Sequence, residues 1–206
     1  LASTGDLRVQ APAAHRLLWT SSRLQLAVLL LLAFLHGAQY ALLMPPWGLI
    51  DEIQHYDYIG QIAERGHFPV TGETLLAPDR VESLFTTRHW ERFHWSTPAS
   101  AQIEDLGAVG YSYEGYQPPA FYLLMAPLYL VTPGDALARL FLLRLAVVGL
   151  SLITVFFCFH TARLFSRETN FAFLSTLVLV SIPERTLATS RLNNDVLLEV
   201  LGAALA

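Results

Sequence analysis

The chain has 206 residues, of which 53% are hydrophobic and only 15% charged, with mean hydropathy +0.42 and a formal net charge of −4. An ordinary soluble domain carries about 25% charge, so this balance points to the bilayer. All thirteen basic residues are arginines that form no stripe, which excludes a nucleic-acid-binding module, and the single cysteine, Cys158, excludes an internal disulfide framework and reads as a buried structural thiol in an apolar run.

Residues 1–23 are polar, with Arg8, Arg16 and Arg23 against the single acid Asp6. Residues 24–44 (LQLAVLLLLAFLHGAQYALLM) are uncharged and mostly apolar, long enough as a helix to cross a hydrocarbon core of about 30 Å. A cleaved signal peptide would have a shorter apolar core and tail, so an uncleaved anchor is the reading here. The arginines ahead of it place the N-terminus in the cytoplasm. Trp19 and Trp47 then fall where interfacial aromatic residues are expected. The predicted organisation is a tail at 1–23, a first transmembrane helix at 24–46, an outer loop at 47–138, and further transmembrane helices over 139–206.

Pro45-Pro46 closes the first span. Residues 47–117 hold eleven acids and four arginines, net −7, as suits an outer segment under that orientation. The segment opens on a predicted amphipathic helix at residues 49–65, closed by Gly66. Its Ile50, Ile53, Tyr56, Ile59 and Ile62 recur every three residues, as in a helix lying flat on a membrane surface. RHWERFHW at 88–95 reads as a second interfacial segment.

The next apolar run, residues 120–132, is interrupted by Pro127 and covers only about 20 Å as a helix, so a re-entrant or surface-lying element is predicted. A span follows near 141–164, ended by Arg163 and Arg167. Another runs from about 169 to 183, then a polar turn (PERTLATSRLNND), then an apolar run from Val196 that is still short of a span at Ala206. The expectation is therefore a fragment of a longer protein. If 120–132 does not cross, the Arg163/Arg167 end is cytoplasmic, as the positive-inside rule prefers, and residues 191–195 share the outer face with Asp51 and Glu52. The fold class is all-α: a polytopic transmembrane helical bundle with amphipathic juxtamembrane helices in its first outer loop.

Three polar clusters sit at predicted membrane–water boundaries. In Asp51-Glu52-x-x-His55, Asp51 and His55 share a helical face, and a carboxylate beside apolar surface is partly desolvated, which suits general-base work. The same pattern also fits the solvated face of a surface helix. In Tyr113-Glu114-Gly115-Tyr116-Gln117-Pro118-Pro119, the proline pair rigidifies the entry to an apolar helix. In Arg191-Leu192-Asn193-Asn194-Asp195, Asp195 is placed to cap a helix N-terminus, and with the two carboxamides it offers oxygen ligands to a metal or to sugar hydroxyls. His89 and His94 are spaced five apart, unlike a zinc-protease HExxH, and no phosphate-binding glycine loop or CxxC pair is present.

The order of one span, DE-x-x-H, Q-P-P before an aromatic-aliphatic run, and N-D opening a later helix resembles the GT-C superfamily of membrane glycosyltransferases. The nearest branch is the protein-mannosyltransferase-like enzymes that use polyprenyl-phosphate sugars, and the likeness covers residues 24–206. The resemblance implies sugar transfer from a polyprenyl-phosphate donor to a hydroxyl of a lipid, glycan or protein, at the outer face of the cell (inner) membrane. It implies Asp51 as the catalytic base with Glu52 beside it. His55, Gln117, Pro118, Tyr122, Arg191 and Asn194 would contact substrate, with Arg191 offsetting phosphate charge. Asp195, with Glu114, would hold a divalent metal ion, the one cofactor implied. One branch of the family carries Glu directly before its proline motif, whereas here Tyr116 stands there and Glu114 lies two positions earlier. The rival readings are a transporter or flippase component and a non-catalytic structural subunit. The transporter predicts ionisable groups in mid-span, where the apolar stretches are expected to hold none.

Overall fold

The computed structural model describes residues 21–48, 51–166 and 168–206. Residues 1–20, with Arg8, Arg16 and Trp19, the first stripe residue Ile50, and Arg167 lie outside the described residues. The described chain is all-helical, and its only β pairing is an isolated bridge between Leu75 and Tyr111.

Helix α1 (Ser22–Leu43) starts where the Ser21 hydroxyl accepts the Leu24 N–H, and ends as Met44 turns extended ahead of Pro45. Its buried residues, Gln25, Leu29, Ala33, Gly37 and Ala41, recur every four positions and form one narrow seam. The seam packs on the long helix α7 (Ala136–Phe165). A methyl on Gly37 would stand 2.9 Å from Val148 Cγ1, so glycine permits the close approach that holds apolar helices together. Both helices are long and apolar enough to cross a membrane, with mean hydropathies of 2.0 and 2.4.

Between them the chain builds a folded unit from α2 (Glu52–Arg65), α3 (Pro78–Thr86), the single turns α4 (His89–Arg92) and α5 (Ile103–Leu106), 3₁₀ turns at Gly107–Gly110 and Tyr113–Tyr116, and α6 (Ala120–Val131). The amphipathic reading of α2 needs correction. Ile53, Tyr56 and Ile59 are fully buried as the stripe predicts, but every residue from Glu52 to Gln61 is buried, polar face included. The polar face finds partners inside the protein. Gln54 donates to the Val109 carbonyl at 3.2 Å, and Asp57 accepts from Gln61 and from the Ala77 N–H. Arg80, 3% exposed, lies 3.7 Å from Asp57 and donates to Glu64 and Tyr129. The loop therefore has its own core, which runs on into the first turns of α7 through Leu140, Leu143 and Val147. A second cluster, Leu29, Ala33, Val155, Phe159, Ala172 and Val180, lies among the long helices.

Helix α6 is short and contains Pro127; it packs on α2 through Phe121, Tyr122, Met125 and Tyr129. Helix α7 begins at Ala136, five residues before the predicted span, because Asp135 accepts the Ala138 N–H at 2.9 Å and caps it. Helix α8 (Thr169–Val180) is followed not by a polar turn but by α9 (Pro183–Thr189), bent from it by 68°, with Pro183 in its first turn. Counted as one broken span, the pair is a third apolar element. Helix α10 (Asp195–Leu205) closes the chain. The expectation that the apolar stretches lack ionisable groups is also corrected: Arg144 is buried in α7, and Arg185 of α9 pairs with Glu199 of α10 at 2.7 Å. Cys158 is half-buried rather than fully enclosed.

Candidate functional site

The site grows from one buried arginine. Arg144 in α7 is enclosed and must satisfy five donors without water. It donates to carbonyls in the last turn of α1 and just beyond it, at Ala41 (3.1 Å), Met44 (2.8 Å) and Pro45 (2.9 Å), and to both carboxylate oxygens of Glu52 (2.7 and 2.5 Å). Glu52 also accepts the Leu192 N–H at 3.1 Å. Four chain segments are thus tied at one point, and the neighbours of that point in sequence, Asp51 and Arg191, are brought across from each other.

Asp51, Glu52, His55, Phe93, Arg191, Leu192, Asn193 and Asp195 line a single cavity of about 270 Å³. Asp51 and Asp195 are both exposed to it. Asp51 accepts a hydrogen bond from the Tyr113 hydroxyl, and burial together with that carboxylate pushes the Tyr113 pKa up, so the phenol stays protonated. Asp195 is the first residue of α10 rather than its cap. The N-cap is Asn194, and the Asp195 N–H is taken by Asn193 Oδ1 at 2.9 Å, while Asn193 Nδ2 donates to the Ala188 carbonyl at 2.7 Å. The Asp195 carboxylate is left to face the cavity.

Behind the wall lies a second tier. Asn194 donates to the Gln117 side chain at 3.0 Å, and the Gln117 carbonyl accepts from Tyr58 at 3.3 Å. The Gln117 N–H also bonds the Glu114 carbonyl at 2.9 Å; the Glu114 carboxyl is 4% exposed, and burial, with Asp51 and Asp195 nearby, pushes its pKa up. Tyr122 is fully buried, stacked on Tyr58 with ring centroids 3.8 Å apart, and its hydroxyl lies 2.9 Å from His55 Nδ1. Gln117, Asn194, Glu114 and Tyr122 therefore support the cavity without lining it. Pro118 is exposed and outside it. Glu52, expected beside Asp51 as a catalytic carboxylate, has its oxygens engaged by Arg144 and Leu192. Among the described residues, no three His, Cys, Asp or Glu side chains gather closely enough to hold a metal ion.

Sequence reading did not single out Arg144, Tyr113 or Phe93 for this site. Arg144 carried a signal: a charge inside an apolar helix has to be paired, and Glu52 was the acid at the same boundary.

Gly115 sets the approach of the Glu114–Gln117 turn. A methyl there would lie 2.5 Å from the Pro69 carbonyl oxygen and 3.0 Å from the Thr71 nitrogen, both rigid backbone atoms. Gly115→Ala is expected to destabilise the protein by about 1–3 kcal/mol, read as a lowered Tm.

Burial lowers the pKa of His55 to about 4; Arg191 acts in the same direction, and Asp51 and Asp195 act against it. Between pH 6.5 and about 4 the unfolded chain binds a proton at this histidine that the folded chain refuses. Stability should therefore fall as pH drops through that window, by up to about 3 kcal/mol. The Tm of the parent should fall relative to that of His55→Gln as pH drops from 6.5 to about 4, and hold a constant offset from it above pH 7.

No family model, no curated protein and no solved structure matches this chain.

Proposed function

We propose that this chain is a multi-spanning membrane glycosyltransferase of GT-C type, moving a sugar from a polyprenyl-phosphate donor to a hydroxyl acceptor at the outer face of the cell membrane. The supporting observation is that Asp51, Asp195 and Arg191, from chain segments far apart, line one cavity at the ends of apolar helices. A donor with its isoprenoid tail in lipid presents phosphate and sugar at that level. In this reading Asp51 takes the proton of the acceptor hydroxyl as its oxygen bonds to the anomeric carbon. The bond from that carbon to the phosphate oxygen breaks, and polyprenyl phosphate leaves with the electron pair. Arg191 offsets the charge on the departing phosphate. Glu52 becomes a positioning residue, since Arg144 holds it.

Of the carboxylates given a metal role, Asp195 is the one exposed to the cavity, and it suits a cation of the magnesium type, which keeps waters and is bound by one or two carboxylates together with a substrate phosphate. Asp195 would hold it, leaving Asp51 free as the base, and the ion would supply neutralisation of phosphate charge.

The Arg185–Glu199 pair among apolar helices favours a second reading, a transporter. Sugar transfer from citronellyl-phosphate glycosides in detergent solution, where no second compartment exists, separates the two. Transfer that depends on Asp51 supports the enzyme, and its absence with every donor tried removes it.

A further inference from the structure

We propose that Phe93 and Trp95 form a stacking platform for the face of a sugar ring, at the rim of the cavity lined by Asp51 and Asp195. The proposal deepens the transferase reading and rests on it. Phe93 is half-buried and lines the cavity, and Trp95 stacks on it with ring centroids 5.1 Å apart and planes 27° apart. Trp95 itself remains 42% exposed, so the stacked pair is not closed over by the rest of the fold.

The platform is built rigidly. Three non-glycine residues among those described adopt left-handed backbone conformations, Trp47 (φ 53°), Arg88 (φ 52°) and His94 (φ 57°). Two flank α4, and the third is the residue on which α4 is anchored. Such conformations persist only where surrounding contacts over-determine them, and they gather at functional sites. The contacts are present. His89, fully buried, lies 3.2 Å from the Trp47 carbonyl through Nδ1 and supports Phe93 ring to ring at 4.9 Å. Arg92 donates to the carbonyls of Pro46 and Thr87. The Trp95 N–H bonds the Trp90 carbonyl at 2.9 Å, which folds the second ring back over the first.

A sugar ring has a C–H face that packs on aromatic carbon and a rim of hydroxyls that needs acceptors and donors. Phe93, with Trp95 stacked on it, supplies the first, and Asp51, Asp195 and Arg191 supply the second from the cavity that Phe93 lines. A lipid anchor is the competing role for exposed tryptophan. Phe93, however, faces two carboxylates and an arginine, chemistry that a hydrocarbon chain does not match. The ring could belong to the donor's sugar or to a glycan acceptor.

The test uses the full-length protein in lipid nanodiscs. The probes are citronellyl phosphate, its mannosyl and arabinosyl derivatives, and the methyl glycosides of both sugars. Subtracting the emission of Trp95→Phe from that of the parent isolates the Trp95 signal. A sugar-bearing probe should change that signal saturably, and Phe93→Leu, which keeps apolar bulk without the ring, should weaken its binding about three- to tenfold. Citronellyl phosphate should bind parent and Phe93→Leu alike. A response to the citronellyl glycosides assigns the platform to the donor, and a response to the methyl glycosides assigns it to the acceptor. Unchanged sugar affinity in Phe93→Leu, or Trp95 quenched by brominated lipid and indifferent to sugar, overturns the platform while leaving the transferase standing. Failure of every probe to bind the parent overturns both.

Discussion

Asp51→Asn is expected to reduce sugar transfer by about 10²- to 10⁴-fold, the usual contribution of a positioned general base. Asparagine keeps the side chain's shape and an oxygen that can still accept from Tyr113, but it cannot take a proton from an acceptor hydroxyl. Because Asp51 is exposed to the cavity, the substitution should leave stability within about 0.5 kcal/mol of the parent. Initial rates with saturating donor, beside a thermal melt, provide the check. A variant that melts normally and transfers at the parental rate would remove Asp51 from the mechanism. Asp195→Asn is the companion measurement. A loss confined to KM would place Asp195 in binding, and an equal loss in kcat and kcat/KM would place it in the transition state.

Arg144→Met should lower stability by about 3–5 kcal/mol, a typical cost of leaving a buried charge without its partner. Glu52 would be left enclosed, keeping its hydrogen bond from the Leu192 N–H but losing the guanidinium, and the carbonyls of Ala41, Met44 and Pro45 would lose their donor. Adding Glu52→Gln removes the stranded carboxylate and should recover part of the loss, though not the part owed to the three carbonyls. A double-mutant cycle on Tm measures this directly. Independent, additive losses would show that the pair is not a unit. The pair also sets the geometry of the cavity, so Arg144→Met should lose transfer activity below its own melting transition, before the fold is lost.

Much of this architecture was legible in the sequence because a helix apolar enough to cross a bilayer leaves a strong one-dimensional mark. The uncharged run after Arg23 and the apolar run before Arg163 each appear as long helices. The proline at 127 and the brevity of its apolar run agree with a short α6. Less legible was the interior of the long connection. The every-third-residue pattern in α2 exposed its apolar stripe, but Gln54, Asp57 and Gln61 on the other side looked like a wet face. Whether a polar face meets water or a satisfied partner depends on Ala77, Arg80 and Val109, which no local pattern ties to α2. Residues 183–189 likewise looked like a turn, because Pro183 and the hydroxyl residues break an apolar pattern that the helix nevertheless resumes at a 68° angle.

By itself the sequence determined which stretches are apolar enough for lipid and which short polar clusters stand at their ends, since both depend only on neighbouring residues. Only the tertiary structure decided that Asp51, Arg191 and Asp195 face one cavity, that Glu52 is taken up by Arg144, and that Phe93 joins the wall. The physical reason is the buried guanidinium. Its donors can be satisfied only where the end of α1, the start of α2 and the body of α7 meet, with Glu52 reaching on to Leu192, and that meeting point fixes where the remaining polar groups must lie.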